Sequence, residues 1–405
     1  MQFSPRMKNL KTEEAFEVLE EVNRLREEGK DVISLAIGEP DFNTPDNVKE
    51  AGIEAIKADK TCYSPSPGIP ELRQEIADHL SSSRGVEYAR ENTVAAPGAK
   101  PLIFYGILAV MEPGSEVAYP SPGFPVYESI IELFDGVPVP YSLPAEKGFE
   151  VDPEEIKAKV NENTDAIIIN SPHNPTGSVI SPAKLEKLAD IAEEYDLWVI
   201  SDEVYFDLVY DDNIYSIAAL PGLKERTLII DSFSKSYAMT GWRIGFGGGP
   251  EELIARISKL ITNSVSCTAT FTQHAAVKAL RSDDGFLQNI VEELEERRDL
   301  VYRGLNEVRG IKCQKPEGAF YAYADVTEVC KLLGLKNAAE FQEFLLYQAG
   351  VAVLYRECFG DKFADEKREY IRISYANSQE NIAEALERIK NLVNRRDEVY
   401  LSKSS

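Results

Sequence analysis

The chain has 405 residues, of which 28% are charged, and acids outnumber bases 68 to 44 for a formal charge of −24. That length allows about two or three domain-sized cores, and a hydrophobic share of 43% can fill them. So acidic a surface repels both a nucleic-acid backbone and an anionic membrane, which leaves a soluble protein, expected in the cytoplasm, that handles small molecules.

The N-terminus, MQFSPRMKNLKTEEAF, lacks the roughly 7–15-residue apolar core of a signal peptide. The longest apolar stretches, such as Ile103–Met111 and Ala166–Ile169, fall short of the about 20 residues that span a membrane. Residues 12–28 predict an amphipathic helix with Ala15, Val18, Leu19, Val22 and Leu25 on one face, stopped by Gly29. Asp31–Ile37 is a short apolar segment that ends in the turn-rich GEPDFNTP. From about 98 to 250 strand and helix alternate. Ala99–Met111, Pro125–Leu133 and Pro182–Tyr195 read as helices, the last with Ser181 as N-cap and Pro182 in first position. Glu116–Tyr119, Asp165–Ile169, Trp198–Ser201 and Thr227–Asp231 read as strands. Uninterrupted apolar strands between helices imply an α/β fold, its mostly parallel central sheet covered on both faces. Beyond about 285 a charged helix (Asn289 to Leu305), strands near Ala319–Tyr323 and Tyr370–Ser374, and a final charged helix predict a smaller α+β domain. The expected division is residues 1–48 joining the small domain, 49–284 forming the large domain, and 285–405 completing the small one.

Several look-alikes carry no chemistry. Cys62, Cys267, Cys313, Cys330 and Cys358 are odd in number and contain no CxxC, so neither a disulfide framework nor a zinc site is expected. His79, His173 and His274 lack metal-ligand spacing. GFGGGP at Gly245–Pro250 does not follow the first strand of a βαβ unit, so it reads as a glycine-rich strand and turn, not a dinucleotide loop. Ser171 and His173 have no nucleophile elbow around them. The charge run Glu292–Arg298 reads as a solvated helix face.

Four stretches can carry chemistry. DSFSKSYAMTGWRIG (Asp231–Gly245) places Lys235 in a hydroxyl-rich turn beside apolar residues, where desolvation lowers its pKa and frees an amine for Schiff-base chemistry. Ser232, Ser234 and Arg243 in the same stretch can make a phosphate cup. SDEVY (Ser201–Tyr205) puts Asp202 at the carboxyl end of a strand, where it can hold a protonated ring nitrogen, with Tyr205 as donor to a phenolate-type oxygen. NSPHNPTG (Asn170–Gly177) is a stiff turn suited to fixing Asn174, with Gly177 allowing a positive φ. APGAK (Ala96–Lys100) opens a helix whose N-terminal amides can bind an anion. Taken singly, each is equally a surface lysine, a helix cap, a turn or a helix start.

As an ordered set, PGAK, NPTG, DEVY, SFSK and MTGWRIG resemble the class I/II aminotransferases, pyridoxal-phosphate enzymes of fold type I in the aspartate aminotransferase family. The resemblance runs from GEPDF at Gly38–Phe42 to IRISYA at Ile371–Ala376. It implies that Lys235 binds pyridoxal phosphate covalently and moves the substrate proton. It implies that Asp202 pairs with the ring nitrogen, that Tyr205 and Asn174 bond the 3′ oxygen, and that Phe124 stacks on the ring. Gly98, Ala99, Lys100, Ser232, Ser234 and Arg243 would surround the phosphate. Tyr63, in YSPSPGIPELR, resembles the tyrosine that reaches the phosphate of a neighbouring subunit, which implies a homodimer with shared active sites. Arg372 would grip the substrate α-carboxylate, with Gly38 and Asn174 in the same pocket.

The implied activity is ping-pong transfer of an amino group from an L-amino acid to a 2-oxo acid. Lys100 stands where one subgroup contacts the distal carboxylate of acidic substrates, which favours aspartate and glutamate; a lysine serving only the helix start is the alternative. Arg356 in VLYRECFG departs from the family's frequent Pro-Gly and reads either as a second carboxylate reader or as a surface charge. Phe124 where the family often has Trp leaves alanine, aromatic and branched substrates open. The same residues suit a C–S β-lyase or an aminocyclopropane-carboxylate-type synthase. A non-catalytic regulator would need a basic helix-turn-helix ahead of GEPDF, and the residues there are acid-rich.

Overall fold

Seven strands build the central sheet of the computed structural model, which describes residues 4–8, 10, 14–211 and 213–403. Their order across the sheet is Thr93–Ala96, Gly245–Gly248, Thr227–Ser232, Trp198–Asp202, Thr164–Asn170, Glu116–Ser121 and Val137–Ser142. Gly245–Gly248 is antiparallel to both its neighbours and every other adjacent pair is parallel. The strands lack polar alternation because both faces are covered. Ile168, Ile200, Leu228 and Ile230 face the helices Ala99–Val110, Val126–Leu133 and Glu251–Ser264. Ile167, Ile169 and Val199 face Pro153–Lys159 and Pro182–Glu194, while Ile229 and Phe246 face Pro70–Arg84 and Thr270–Arg281.

GFGGGP is a strand and turn for steric reasons. A Cβ at Gly247 would come within 2.9 Å of the Ile229 carbonyl oxygen, and one at Gly248 within 2.6 Å of Leu80. Two expectations change in detail. Ser181 occupies the N-cap position of Pro182–Glu194, but its side chain makes no cap hydrogen bond, so the preset φ of Pro182 opens the helix. The strand expected from Ala319 begins at Tyr321, because Ala319 adopts a left-handed φ of 56° that interrupts the extended chain.

A second sheet, ordered Leu354–Tyr355, Tyr370–Ser374, Tyr321–Asp325 and Lys312–Cys313, is antiparallel throughout. It packs against the helices Phe286–Asn306, Thr327–Leu333, Ala338–Ala349 and Gln379–Lys403. The N-terminal residues join this layer. Ile33–Ser34 pairs in parallel with Val351–Ala352, and the helix Glu14–Glu27 buries Val18, Val22 and Leu25 with Leu346, Leu354 and Phe359. Residues 12 and 13 of the expected first helix lie outside the described residues. Among the described residues no helix is long and apolar enough to cross a membrane.

Candidate active site

The parallel strands end side by side, with Asn170 opposite Asp202 and Asp202 opposite Ile230, and their carboxyl ends open into a cavity of about 480 Å³. Asp202 is 4% exposed. Its carboxylate accepts from the Tyr127 hydroxyl at 2.5 Å and from the Val204 amide at 3.4 Å. Burial pushes this acid up to about 6, while the Tyr127 bond, the Val204 amide and Lys235 pull it down. Asn170 joins the strand end to the following turn: its amide nitrogen donates to the Asp202 carbonyl at 2.9 Å, and its side-chain oxygen accepts from the Asn174 amide at 2.9 Å. Gly177 takes φ +73°, and a Cβ there would lie 2.8 Å from the Tyr321 carbonyl oxygen.

Ser232 caps the short helix Phe233–Ser236, its hydroxyl oxygen accepting from the Ser234 amide at 3.0 Å. That turn directs Lys235 Nζ to the Gly38 carbonyl at 2.5 Å. Burial pushes the Lys235 ammonium down to about 8; Arg372, Arg243 and Lys100 act the same way and Glu39 opposes them. Gly38 must be glycine, because a Cβ would fall 1.9 Å from the Tyr321 hydroxyl oxygen. Tyr321 and Tyr205 share a hydroxyl–hydroxyl bond of 2.7 Å, and burial holds the Tyr205 phenol well above its ordinary range.

The helix Ala99–Val110 begins at Gly98, φ 99°. A Cβ at Gly98 would meet Arg243 Nη2 at 2.5 Å, and one at Gly245 would meet the Ala99 nitrogen at 2.5 Å. The helix start, the Ser232–Ser234 turn and Arg243 therefore converge as an anion cradle. Lys100 Nζ lies 5.4 Å from the Phe124 ring centroid and 5.9 Å from that of Phe16. Arg372 is 4% exposed and lies over the Tyr321 ring at 4.3 Å. It donates to Asn174 Oδ1 at 2.9 Å and to the Ala36 carbonyl, and its Nε has no partner.

The cavity wall brings together Gly38, Ala99, Lys100, Phe124, Asn174, Asp202, Tyr205, Ser232, Ser234, Lys235, Arg243 and Arg372. Gly98 does not line it, but it is the N-cap of the helix whose first residue, Ala99, does. Tyr63 is not part of the wall and is 89% exposed. Arg356 is neither a surface charge nor a cavity residue. It is fully buried and forks onto Glu366, Nε to Oε1 at 2.8 Å and Nη2 to Oε2 at 2.9 Å, because Glu366 lies within reach on the loop before Tyr370–Ser374. Tyr127, Asn170 and Tyr321 also belong to the site, although no sequence motif gives them a role there. Asn170, the polar residue ending an apolar strand, carries the one local signal among them. An anion cradle, a buried carboxylate, an aromatic side chain and a lysine of lowered pKa in one cavity fit a planar, phosphorylated aldehyde with a basic ring nitrogen.

Residues 30–389 match the family model described as aminotransferase class I and II. The chain is 41% identical over 389 residues to the probable aspartate/prephenate aminotransferase of Aquifex aeolicus, covering 95% of this chain and 97% of the relative. The structure of the Thermus thermophilus aspartate aminotransferase with maleate superimposes with TM-score 0.91 at 34% identity, covering 97% of this chain and 100% of that one. The aromatic aminotransferase of Pyrococcus horikoshii OT3 superimposes with TM-score 0.85 at 40% identity, covering 93% and 99% respectively.

Proposed function

The chain belongs to the aminotransferase class I and II family and is a pyridoxal-phosphate-dependent transaminase of fold type I, and on that premise we propose that it prefers aspartate, glutamate and their 2-oxo acids. The observation that carries the preference is Lys100, a cation additional to Lys235, Arg243 and Arg372 on the wall of the cavity. One arginine serves an α-carboxylate, and a further cation suits a substrate with a distal one. The relatives named for aspartate, and the maleate in the Thermus structure, support the same reading.

Pyridoxal phosphate supplies an electron sink for the Cα–H bonding pair of a bound amino acid. In our assignment the side chains do the rest. Asp202, fixed by Tyr127, would hold positive charge at the ring nitrogen. Phe124 would stack on the ring, while Tyr205, supported by Tyr321, and Asn174 would bond its 3′ oxygen. Ser232, Ser234, Arg243 and the amides at Gly98 and Ala99 would hold the phosphate. Arg372 fixes the α-carboxylate and with it the direction of the Cα–H bond. Gly38 lines the same pocket. Lys235 takes the Cα proton as general base and returns one as general acid; burial has already lowered its pKa for that role. The first 2-oxo acid leaves before the second enters, the ping-pong order.

The small-domain grouping of residues 1–48 with 285–405, around a large domain of 49–284, belongs to this proposal. So does a homodimer with shared active sites. Beside Arg243 a surface recess of about 830 Å³ includes Ile53 and Ile56, 41% and 50% exposed, and a partner's copy of the exposed Tyr63 loop would fit such a recess. A monomer in sedimentation equilibrium would overturn that part. The substrate assignment is tested by half-reactions that follow cofactor absorbance with aspartate, glutamate, alanine and phenylalanine. Aspartate and glutamate should react fastest, and faster reaction with phenylalanine would move the enzyme to the aromatic class. With a cysteine S-conjugate as substrate, pyruvate and ammonia released together with the free thiol, in the absence of a keto-acid acceptor, would point to β-elimination instead.

A further inference from the structure

Behind the strand ends lies a second charge centre that the reaction does not use directly. Arg84, with a side chain 0% exposed, ends the helix Pro70–Arg84, where the helix dipole favours a cation. Its guanidinium lies 3.8 Å from the Phe206 ring centroid and contacts three carboxylates: Glu203 from Nε at 3.2 Å, Asp207 from Nη1 at 3.3 Å, and Asp231 from Nη2. Nη1 also donates to Ser83 Oγ at 2.8 Å and lies 3.4 Å from His79 Nε2. Burial pushes His79 down to about 4, with Asp207 opposing that shift and Arg84 adding to it.

The three acids share one property of position. Glu203 follows Asp202, Asp207 lies just beyond Tyr205, and Asp231 precedes Ser232. Asp231 Oδ1 also accepts from the Ser232 amide at 2.6 Å, and Glu203 Oε1 accepts from Ser201 and Ser216 hydroxyls at 2.8 and 2.6 Å. Beyond the paired strands Trp198–Asp202 and Thr227–Ser232, the amide of Glu203 still reaches the Ile230 carbonyl at 2.8 Å. Past that point the chain turns away, and the guanidinium spans the gap. One cation cannot fully neutralise three carboxylates, and burial holds Asp231 well above its ordinary range and Glu203 above its own. We propose that Arg84 is a positioning residue for the cofactor: it fastens the segments carrying Asp202, Tyr205 and Ser232 to one buried fork. This rests on the assignment of Asp202 and Ser232 as cofactor contacts.

The test uses holoenzyme and two readouts besides turnover: the release rate of pyridoxal phosphate on dilution, and the visible circular dichroism of the bound cofactor. Arg84→Met should release cofactor about tenfold faster or more and change the visible band, with the far-UV spectrum unchanged. Should that variant not fold, Asp231→Asn and Glu203→Gln each remove one arm at constant shape and should accelerate release by a smaller factor. Wild-type release and dichroism in the folded variants, alongside a lowered thermal midpoint, would overturn the proposal and leave Arg84 a packing residue. Asp202→Asn is the control: if it too keeps wild-type release and dichroism, the assignment of Asp202 fails, whereas if it alone is impaired, only the role of Arg84 fails.

Discussion

Away from the cavity wall, Arg84 meets Glu203, Asp207 and Asp231, and Arg356 meets Glu366. On the wall, Arg372 meets a side-chain amide oxygen and a backbone carbonyl, with no carboxylate partner among the described residues. A buried guanidinium paired with acids is neutralised within the chain; one oriented by neutral acceptors keeps its full charge for an incoming anion. The same contrast resolves the formal charge of −24. The acidic residues dominate the exterior, while Lys100, Lys235, Arg243 and Arg372 share one cavity. Net charge is thus a guide to the surface and not to the site.

The contrast breaks most severely if the wall cations are dispensable. Lys235→Ala should cut the half-reaction with aspartate by about four orders of magnitude, the upper range for loss of a positioned acid–base group, and should remove covalent cofactor attachment. Stopped-flow absorbance measures the first and borohydride trapping the second, and near-normal turnover would reassign the base. Arg372→Leu comes next. Losing a charge-assisted fork worth about 3 kcal/mol lowers kcat/KM by about 100-fold for dicarboxylic and monocarboxylic amino acids alike. Because the acceptors left behind, Asn174 Oδ1 and the Ala36 carbonyl, are neutral, the thermal midpoint should fall less than on loss of an arginine that neutralises a buried carboxylate. A large drop in that midpoint would place Arg372 with the structural arginines. Lys100→Ala should cost about tenfold in kcat/KM for aspartate and leave alanine unchanged, as removal of one exposed charge contact of about 1.4 kcal/mol predicts. Equal losses on both substrates would give Lys100 to the phosphate or the helix start.

What the sequence made legible was local. Asp202, Asn174 and Lys235 each follow an apolar strand within a few residues, so the strand pattern and the motif point to the same place. The covered sheet was legible too, because Ile167–Ile169 and Leu228–Ile230 show no polar alternation. What stayed hidden depends on pairing across the fold. Tyr127 reaches Asp202 from 75 positions away, Tyr321 reaches Tyr205 from 116, and Arg84 reaches Asp231 from 147. No periodicity encodes such partners. Arg356, read from the sequence as a carboxylate reader or a surface charge, is instead buried against a partner that stayed hidden for the same reason. Its partner Glu366 is only ten positions away, but the two residues lie on different segments, the turn Arg356–Phe359 and the loop before Tyr370–Ser374.

The smallest catalytic effect is expected at Arg356, and it sharpens the contrast most. Its guanidinium is fully buried, with Glu366 on two nitrogens, the Gly360 carbonyl at 2.7 Å and Ser121 Oγ at 3.2 Å. Every direction of the fork is occupied by protein, so no donor faces a substrate. Arg356→Leu leaves Glu366, itself partly buried, without its cation, at a cost of about 3 kcal/mol in stability. Adding Glu366→Leu removes the orphaned acid and should recover part of that loss, a coupling that a double-mutant cycle in urea measures directly. Through both variants the ratio of kcat/KM for aspartate to that for alanine should stay at the wild-type value. A tenfold shift of that ratio toward alanine, at a temperature where the variant is folded, would make Arg356 a reader of the distal carboxylate. The division between arginines neutralised within the chain and arginines kept for ligands would then fail at its clearest case.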